Sequence, residues 1–94
     1  MKITPRNILR HELIGLRVEV HSSRNKHLEG LGGVVIDETM NTLLIETDTG
    51  GRVRVPKAVC EFLFTLPDGT KVLVDGRYLV GRPEDRLKKK VWRW

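Results

Sequence analysis

Apolar and polar positions alternate along much of the chain between Leu16 and Asp75. In the first such run Leu16, Val18 and Val20 are separated by charged residues, which is typical of a strand with one buried face. Further short runs follow at roughly ten-residue spacing and are separated by Gly, Pro, Asn and Asp. The pattern predicts six strands, at residues 16–21, 32–37, 42–47, 52–55, 60–66 and 71–75.

Six short strands in a chain of 94 residues predict a mainly β fold, and a chain of this length has room for one domain. We expect a small, strongly bent antiparallel barrel rather than an open sandwich, because closure removes exposed strand edges. Gly32 and Gly33 at the start of the second strand permit the bend.

Short helices are predicted on both sides of the barrel. Thr4 and Pro5 suit the start of an N-terminal helix, and Gly15 suits its end. Near the other terminus, acidic residues at 84–85 precede lysines at 88–90, as the helix dipole favours. The prediction is a single domain over residues 1–94, with a helical flank at 1–15, the barrel at 16–76, and a basic helix and tail at 77–94.

The predicted N-terminal helix has two distinct faces. Ile8, Leu9 and Leu13 form an apolar face, and Arg6 and Arg10 form a basic stripe. The apolar face either covers the body of this domain or docks a protein partner. The sequence pattern leaves both interpretations open.

Positive charge is concentrated at the two ends of the chain. The net charge is +5, and it separates into +4 over residues 1–27, −3 over residues 28–81 and +4 over residues 82–94. Clustered Lys and Arg gain affinity for nucleic acid by displacing counterions from phosphates. The distribution therefore favours a polyanion partner held by the termini, although a soluble surface with ordinary end charges is the alternative.

Arginine is the main candidate for phosphate contact, because its planar guanidinium group binds phosphate oxygens in pairs. Arg52 and Arg54 alternate with valines, so both should project from the same strand face. For any one of these cations, the alternative is a solvated charge or an internal ion pair. The candidate RNA-binding residues are Arg6, Arg10, Arg17, Arg24, Lys26, Arg52, Arg54, Arg82, Arg86, Lys88, Lys89 and Lys90.

Catalytic and metal-binding patterns are not apparent in the sequence. The three histidines have no ligand spacing, and Cys60 is predicted to pack in the core. We therefore expect no catalytic residue, metal or cofactor in this chain, and the single cysteine suggests a reducing cytoplasm. Aromatic residues number only five, which favours recognition of RNA shape and phosphates over stacking on unpaired bases.

Several strings spread over almost the whole chain resemble one family. They are Thr4-Pro5-Arg6-Asn7-Ile8, His11-Glu12-Leu13-Ile14-Gly15-Leu16, Val35-Ile36-Asp37-Glu38-Thr39 with Asn41-Thr42-Leu43, Val55-Pro56-Lys57, and Gly81-Arg82-Pro83-Glu84-Asp85-Arg86-Leu87-Lys88. The chain resembles archaeal ribonuclease P protein component 1, and the last string is the most specific part of that resemblance.

The resemblance implies an Sm-like or SH3-like barrel with flanking helices. It implies a subunit of the endoribonuclease that removes the 5′ leader from precursor tRNA, in a particle whose RNA is the catalyst. The implied partners are ribonuclease P RNA, precursor tRNA through the complex, and other protein subunits, especially the small zinc-binding one. That subunit would be held by the N-terminal helix and a neighbouring strand, and we predict that Ile8, Leu9 and Leu13 make this contact. No membrane contact is implied.

A second, weaker resemblance lies within residues 37–44, which follow the first Sm signature of Asp, Met-Asn and Leu. The second Sm signature is only approximated near Arg77. We interpret the turn in this segment as architectural rather than as a uridine reader. The alternative functions are an Sm-like RNA chaperone that forms a homo-oligomeric ring, and a protein adaptor whose basic ends bind acidic partners.

Overall fold

The structure, a computed structural model, describes Ile8 and residues 12–81. The predicted C-terminal helix and most of the predicted N-terminal helix lie outside the described residues. Of the predicted helical flank at 1–15, Ile8 and residues 12–15 are described, and residues 12–15 are not helical but lead into a turn at Ile14 and Gly15. Within them, six strands form one antiparallel sheet, and the mainly β prediction is confirmed. The strands are β1 (Arg17–Ser23), β2 (Gly32–Glu38), β3 (Thr42–Thr47), β4 (Arg52–Pro56), β5 (Cys60–Thr65) and β6 (Lys71–Asp75).

Residues 22–30 lie between the first two predicted strands, and part of this segment forms regular secondary structure. Ser22 and Ser23 continue β1 because they pair with β5. A 3-10 helix then spans Lys26–Leu28, and the Asn25 side chain caps it by accepting a hydrogen bond from the backbone N–H of His27. Another 3-10 helix, Gly76–Leu79, follows β6.

The sheet order β4-β3-β2-β1-β5-β6 requires a strongly curved sheet. β4 and β5 are four places apart in this order, which is about 19 Å in a flat sheet. The connection between them is residues 57–59, so Pro56 and Cys60 can be separated by at most about 14 Å. The sheet must therefore roll until these strands approach each other, as the predicted bent barrel requires.

Two irregularities in register help to bend the strands. One lies between Val20 and Ser22, where β1 pairs with β5, and the other between Val35 and Asp37, where β2 pairs with β3. Bulges of this kind increase local twist and turn a strand out of the plane of its neighbours. Gly33, near the start of β2, allows close approach of β2 and β3, because a Cβ there would overlap the backbone of Glu46.

The core lies inside the rolled sheet and is built from the alternate positions of every strand. Phe62 and Phe64 on β5 are fully buried, and their ring centroids are 6.0 Å apart. Val18 and Val20 on β1 face them from the same interior. Cys60 is buried as predicted, and burial raises the pKa of its thiol above 9.0 despite an opposing hydrogen bond with Ser23.

The Asp37 to Asn41 turn is fastened to the body of the protein by Lys57. The Lys57 ammonium group is completely buried, and Nζ lies 2.7 Å from a carboxylate oxygen of Glu38, whose side chain is also inaccessible. Nζ also donates to the carbonyl oxygens of Thr39, at 2.8 Å, and Gly81, at 2.9 Å. These contacts support the interpretation of the turn as architectural.

Candidate nucleic-acid interface

One outward-facing row of side chains crosses all six strands of the sheet. Directly paired residues on neighbouring antiparallel strands project to the same face, so the strand register fixes the members of this row. We call it the cross-sheet row. From β4 to β6 it consists of Arg52, Glu46, Val34, Arg17, Thr65 and Lys71.

Arg17 occupies the middle of the cross-sheet row and forms a two-pronged ion pair with Asp48. Its Nη1 and Nη2 atoms donate to the two carboxylate oxygens at 2.8 and 2.7 Å. The hydrogen bonds from Arg17 lower the pKa of Asp48 below its ordinary value of 3.8. Both side chains remain more than half exposed, at 52% and 59%, so the pair is open to solvent.

The other cations of this face differ in how firmly they are held. Arg52 lies 3.6 Å from a carboxylate oxygen of Glu46, and Arg54 donates to the hydroxyl of Thr42 at 3.1 Å. Lys71 forms no ion pair with any of the described residues. The row therefore combines one cation without a carboxylate partner among the described residues and two whose partners are exposed.

An open groove lies beside the centre of the row. It has a volume of about 300 Å³, and Gly30 and Gly32 leave its wall without side chains. The charged and polar side chains that line the groove are Arg17, Glu19, Asp48, Thr65 and Lys71. We call it the Arg17 groove.

A second basic region lies at the opposite end of β6, around the 3-10 helix Lys26–Leu28. Lys26 is 3.5 Å from Glu29, and Arg77 forms a 2.8 Å ion pair with Asp75. Arg24 forms no ion pair within the described part of the chain. These residues surround a separate groove of about 310 Å³, which also contains acidic side chains.

The structure describes five of the twelve predicted RNA-binding residues. Arg17 and Arg52 lie on the cross-sheet row, Arg54 lies on the same face of β4, and Arg24 and Lys26 lie at the second basic region. The remaining seven are outside the described residues: Arg6, Arg10, Arg82, Arg86, Lys88, Lys89 and Lys90.

Two exposed cations that the sequence reasoning did not select, Lys71 and Arg77, belong to these regions. Lys71 follows a turn and resembles any surface lysine in the sequence. Its alignment with Arg17 arises only because Thr65 pairs with both residues. The alternation of apolar and polar residues in β6 was sufficient to predict that Lys71 lies on the outer face. It was not sufficient to predict that Lys71 lies beside Arg17.

Charge is distributed unevenly between the described body and the rest of the chain. Residues 12–81 contain eight basic and ten acidic residues, whereas the other positions contain nine basic and two acidic residues. The described body thus carries a net charge of −2 and the other positions carry +7, so the whole positive excess belongs to residues outside the described part. The barrel itself presents local cations among nearby carboxylates.

Of the three residues predicted to contact a protein partner, two are buried in the core and one lies outside the described part. Ile8 and Leu13 are fully buried and belong to the core cluster. Leu9 is not among the described residues. Burial of Ile8 and Leu13 favours the interpretation in which the apolar face covers the body of the domain.

The described residues contain no cluster of three or more His, Cys, Asp or Glu side chains that could hold a metal ion. Within the same part of the chain, no helix has the length and hydropathy needed to cross a membrane.

Comparison with known proteins identifies the family. The family model described as ribonuclease P/MRP, subunit p29, matches residues 6–89. The chain belongs to this family. Membership confirms the resemblance drawn from the sequence strings and makes the chain a member of a group of ribonuclease P protein subunits.

Archaeal relatives align with this member of the p29 family over most of their length. The ribonuclease P protein component 1 of Methanocaldococcus jannaschii is 60% identical over 89 residues, covering 95% of this chain and 93% of the relative. The protein of the same name from Thermofilum pendens is 51% identical over 94 residues, and the match covers 100% of both chains.

The fold of the p29 family has also been seen in a solved structure. That structure is of Mth11, described as a homologue of human RNase P protein Rpp29, and is 50% identical to this chain. The match has a TM-score of 0.60 and covers 81% of this chain and 97% of the other. At this identity, the likeness supports the p29 family assignment as well as the fold.

Proposed function

We propose that this chain is the RNA-binding p29-type protein subunit of ribonuclease P and supports the catalytic RNA without supplying catalytic residues. The family match over residues 6–89 carries the proposal. In the particle, the chain would act on precursor tRNA through the complex and would contribute to removal of the 5′ leader.

The surface supports recognition of RNA by its backbone. The outer face of the sheet exposes Arg17, Arg52 and Lys71, which provide guanidinium and ammonium donors suited to phosphate oxygens. Phe62 and Phe64 are buried in the core and are therefore not a stacking platform for bases. We infer that shape and phosphate contacts, supplemented by the basic ends of the chain, dominate RNA binding.

The proposal includes ribonuclease P RNA and other protein subunits as partners in the cytoplasm, with the small zinc-binding subunit as the expected neighbour. The family supports a multisubunit assembly. The N-terminal contact through Ile8, Leu9 and Leu13 remains part of the proposal. Because Ile8 and Leu13 are buried, the contact would use the outer surface of that segment or would require the segment to move.

The comparisons favour ribonuclease P over the alternative of a ring-forming RNA chaperone, since the relatives are named as components of that enzyme. The two functions also predict different RNA preferences. A chaperone ring should prefer oligo-uridine, whereas the proposed subunit should prefer the folded ribonuclease P RNA.

A titration tests the proposal. The protein is added to archaeal ribonuclease P RNA, mature tRNA and oligo-uridine over a range of salt concentrations. We expect preference for ribonuclease P RNA at about 200 mM salt, and a log-log salt slope of about −4 if roughly five phosphates are contacted. Equal, salt-sensitive binding to all three RNAs would contradict specific recognition by this chain, and preference for oligo-uridine would favour the chaperone.

A further inference from the structure

The Arg17 groove contains basic side chains and a hydroxyl group of the kind that bind phosphate. One carboxylate of the groove, that of Asp48, already pairs with the Arg17 guanidinium group. Arg17 and Lys71 lie on strands that flank β5, about 10 Å apart in the sheet. Thr65 lies between them on the same row. Long basic side chains on either side of a hydroxyl can converge on one phosphate group.

Asp48 presents its carboxylate to Arg17 in the same paired arrangement that a phosphate uses. Both oxygens accept hydrogen bonds from the two terminal nitrogens of Arg17. The backbone N–H of Asp48 donates to the carbonyl oxygen of Gly32 at 3.2 Å, which fixes the carboxylate beside the groove. The guanidinium group is therefore oriented for an oxyanion before any ligand arrives.

Exchange of the carboxylate for a phosphate requires little rearrangement. Both members of the pair are more than half exposed, and exposed ion pairs are weak because water screens them. Gly30 and Gly32 leave the adjoining wall of the groove open to an approaching RNA strand. A phosphate that displaces Asp48 also meets Lys71, which has no carboxylate partner among the described residues.

We propose that Arg17, Thr65 and Lys71 bind an RNA backbone phosphate in the Arg17 groove, and that Asp48 competes with it for the Arg17 guanidinium group. This inference rests on the proposed RNA-binding function and adds a specific contact to it. Glu19 is a second carboxylate in the groove, so the described residues give the free groove two positive and two negative side chains. Its balanced charge limits attraction of unrelated polyanions.

Asp48→Asn is the decisive variant, because it should strengthen RNA binding. The substitution keeps the size of the side chain and releases Arg17 from its charged competitor. We expect affinity for ribonuclease P RNA to rise by roughly 1.4-fold to 5-fold, the range that an exposed pair can contribute. Lys71→Gln should weaken binding and make the log-log salt slope shallower by about 0.7 to 0.9, corresponding to one lost phosphate contact.

Asp75→Asn is the matched control for the change in net charge. Asp75 also pairs with an exposed arginine, Arg77, at 2.8 Å, but it lies four residues away from Lys71 on β6, at the second basic region. Removing either aspartate changes the overall charge equally. A gain in affinity that is clearly larger for Asp48→Asn than for Asp75→Asn thus reports the local contact.

The outcomes separate this inference from the proposed function. A larger gain for Asp48→Asn together with a loss for Lys71→Gln supports the phosphate site. If the wild-type protein prefers ribonuclease P RNA but the two aspartate variants behave alike, or Lys71→Gln binds normally, the site is overturned and the proposed function stands. If the wild-type protein shows no preference for ribonuclease P RNA, the proposed function itself fails.

Discussion

Lys57→Met replaces a buried ammonium group with an apolar side chain of similar length. In the native protein, Nζ contacts the Glu38 carboxylate at 2.7 Å and three backbone carbonyl oxygens between 2.8 and 3.3 Å. Methionine can fill much of the same volume but donates no hydrogen bond. The variant therefore tests the electrostatic and hydrogen-bonding role of Lys57 with little change in packing.

The expected loss of stability is large because the Glu38 carboxylate remains buried after its cation is removed. Both side chains of this pair are 0% exposed. Breaking a buried ion pair by removing one partner typically lowers the free energy of unfolding by about 3 to 5 kcal/mol. For a domain of this size, each kcal/mol lowers Tm by roughly 4 to 8 °C, so a fall of at least about 12 °C is expected.

Urea and thermal unfolding followed by far-ultraviolet circular dichroism measure this effect. Lys71→Met is the matched control, since it removes an exposed lysine and should change stability by no more than about 0.5 kcal/mol. The double variant Lys57→Met with Glu38→Leu should recover part of the loss, because no charge then remains buried without its partner. A loss below about 1 kcal/mol for Lys57→Met alone would contradict the predicted cost of leaving the buried Glu38 carboxylate without its cation.

Two further predictions concern close packing and acid stability. Gly33→Ala should lower the free energy of unfolding by about 1 to 3 kcal/mol or more, because the added Cβ would overlap the backbone of Glu46, whereas Gly32→Ala meets only ordinary contacts. Equal urea midpoints for these two variants would contradict the close approach. The Arg77 side chain, and to a smaller extent the Arg77 backbone N–H, donate hydrogen bonds that lower the pKa of Asp75 below 3.8. The ionised Asp75 side chain therefore contributes its full stabilisation above pH 3.8, and this stabilisation is lost as the pH falls through the lowered pKa. The urea midpoint should therefore fall more between about pH 4 and pH 2 in the wild-type protein than in Asp75→Asn, and identical pH profiles would show that the pair contributes nothing measurable.

Local patterns were sufficient to predict the strands. The alternation of Val18 and Val20 with charged residues depends only on the period of a β-strand, and β1 buries those two valines. The turn residues of segments 48–51 and 67–70 likewise separated neighbouring strands within one or two positions of their observed bounds. The family resemblance also rested on short strings that are visible without any structure.

Register and topology decided which distant residues share a surface. Arg17 and Asp48 are 31 positions apart, and the pairing of β1 with β2 and β2 with β3 brings them into contact. Lys71 joins the same groove through β5. No local pattern contains this information, because the order of strands in a sheet depends on how the whole chain packs.

Sequence alone determined the class of fold, since hydrophobic alternation and turn residues act over a few neighbouring positions. Tertiary structure decided the environment of each charge. In the sequence, Lys57 follows Pro56 and resembles a surface lysine, yet the short connection from β4 to β5 buries it against Glu38 and Gly81. Burial is a property of the tertiary fold. The pairing of Thr42 with Pro56 places Lys57 beside the turn that carries Glu38, and the chain after β6 returns to bring the Gly81 carbonyl oxygen to the same ammonium group.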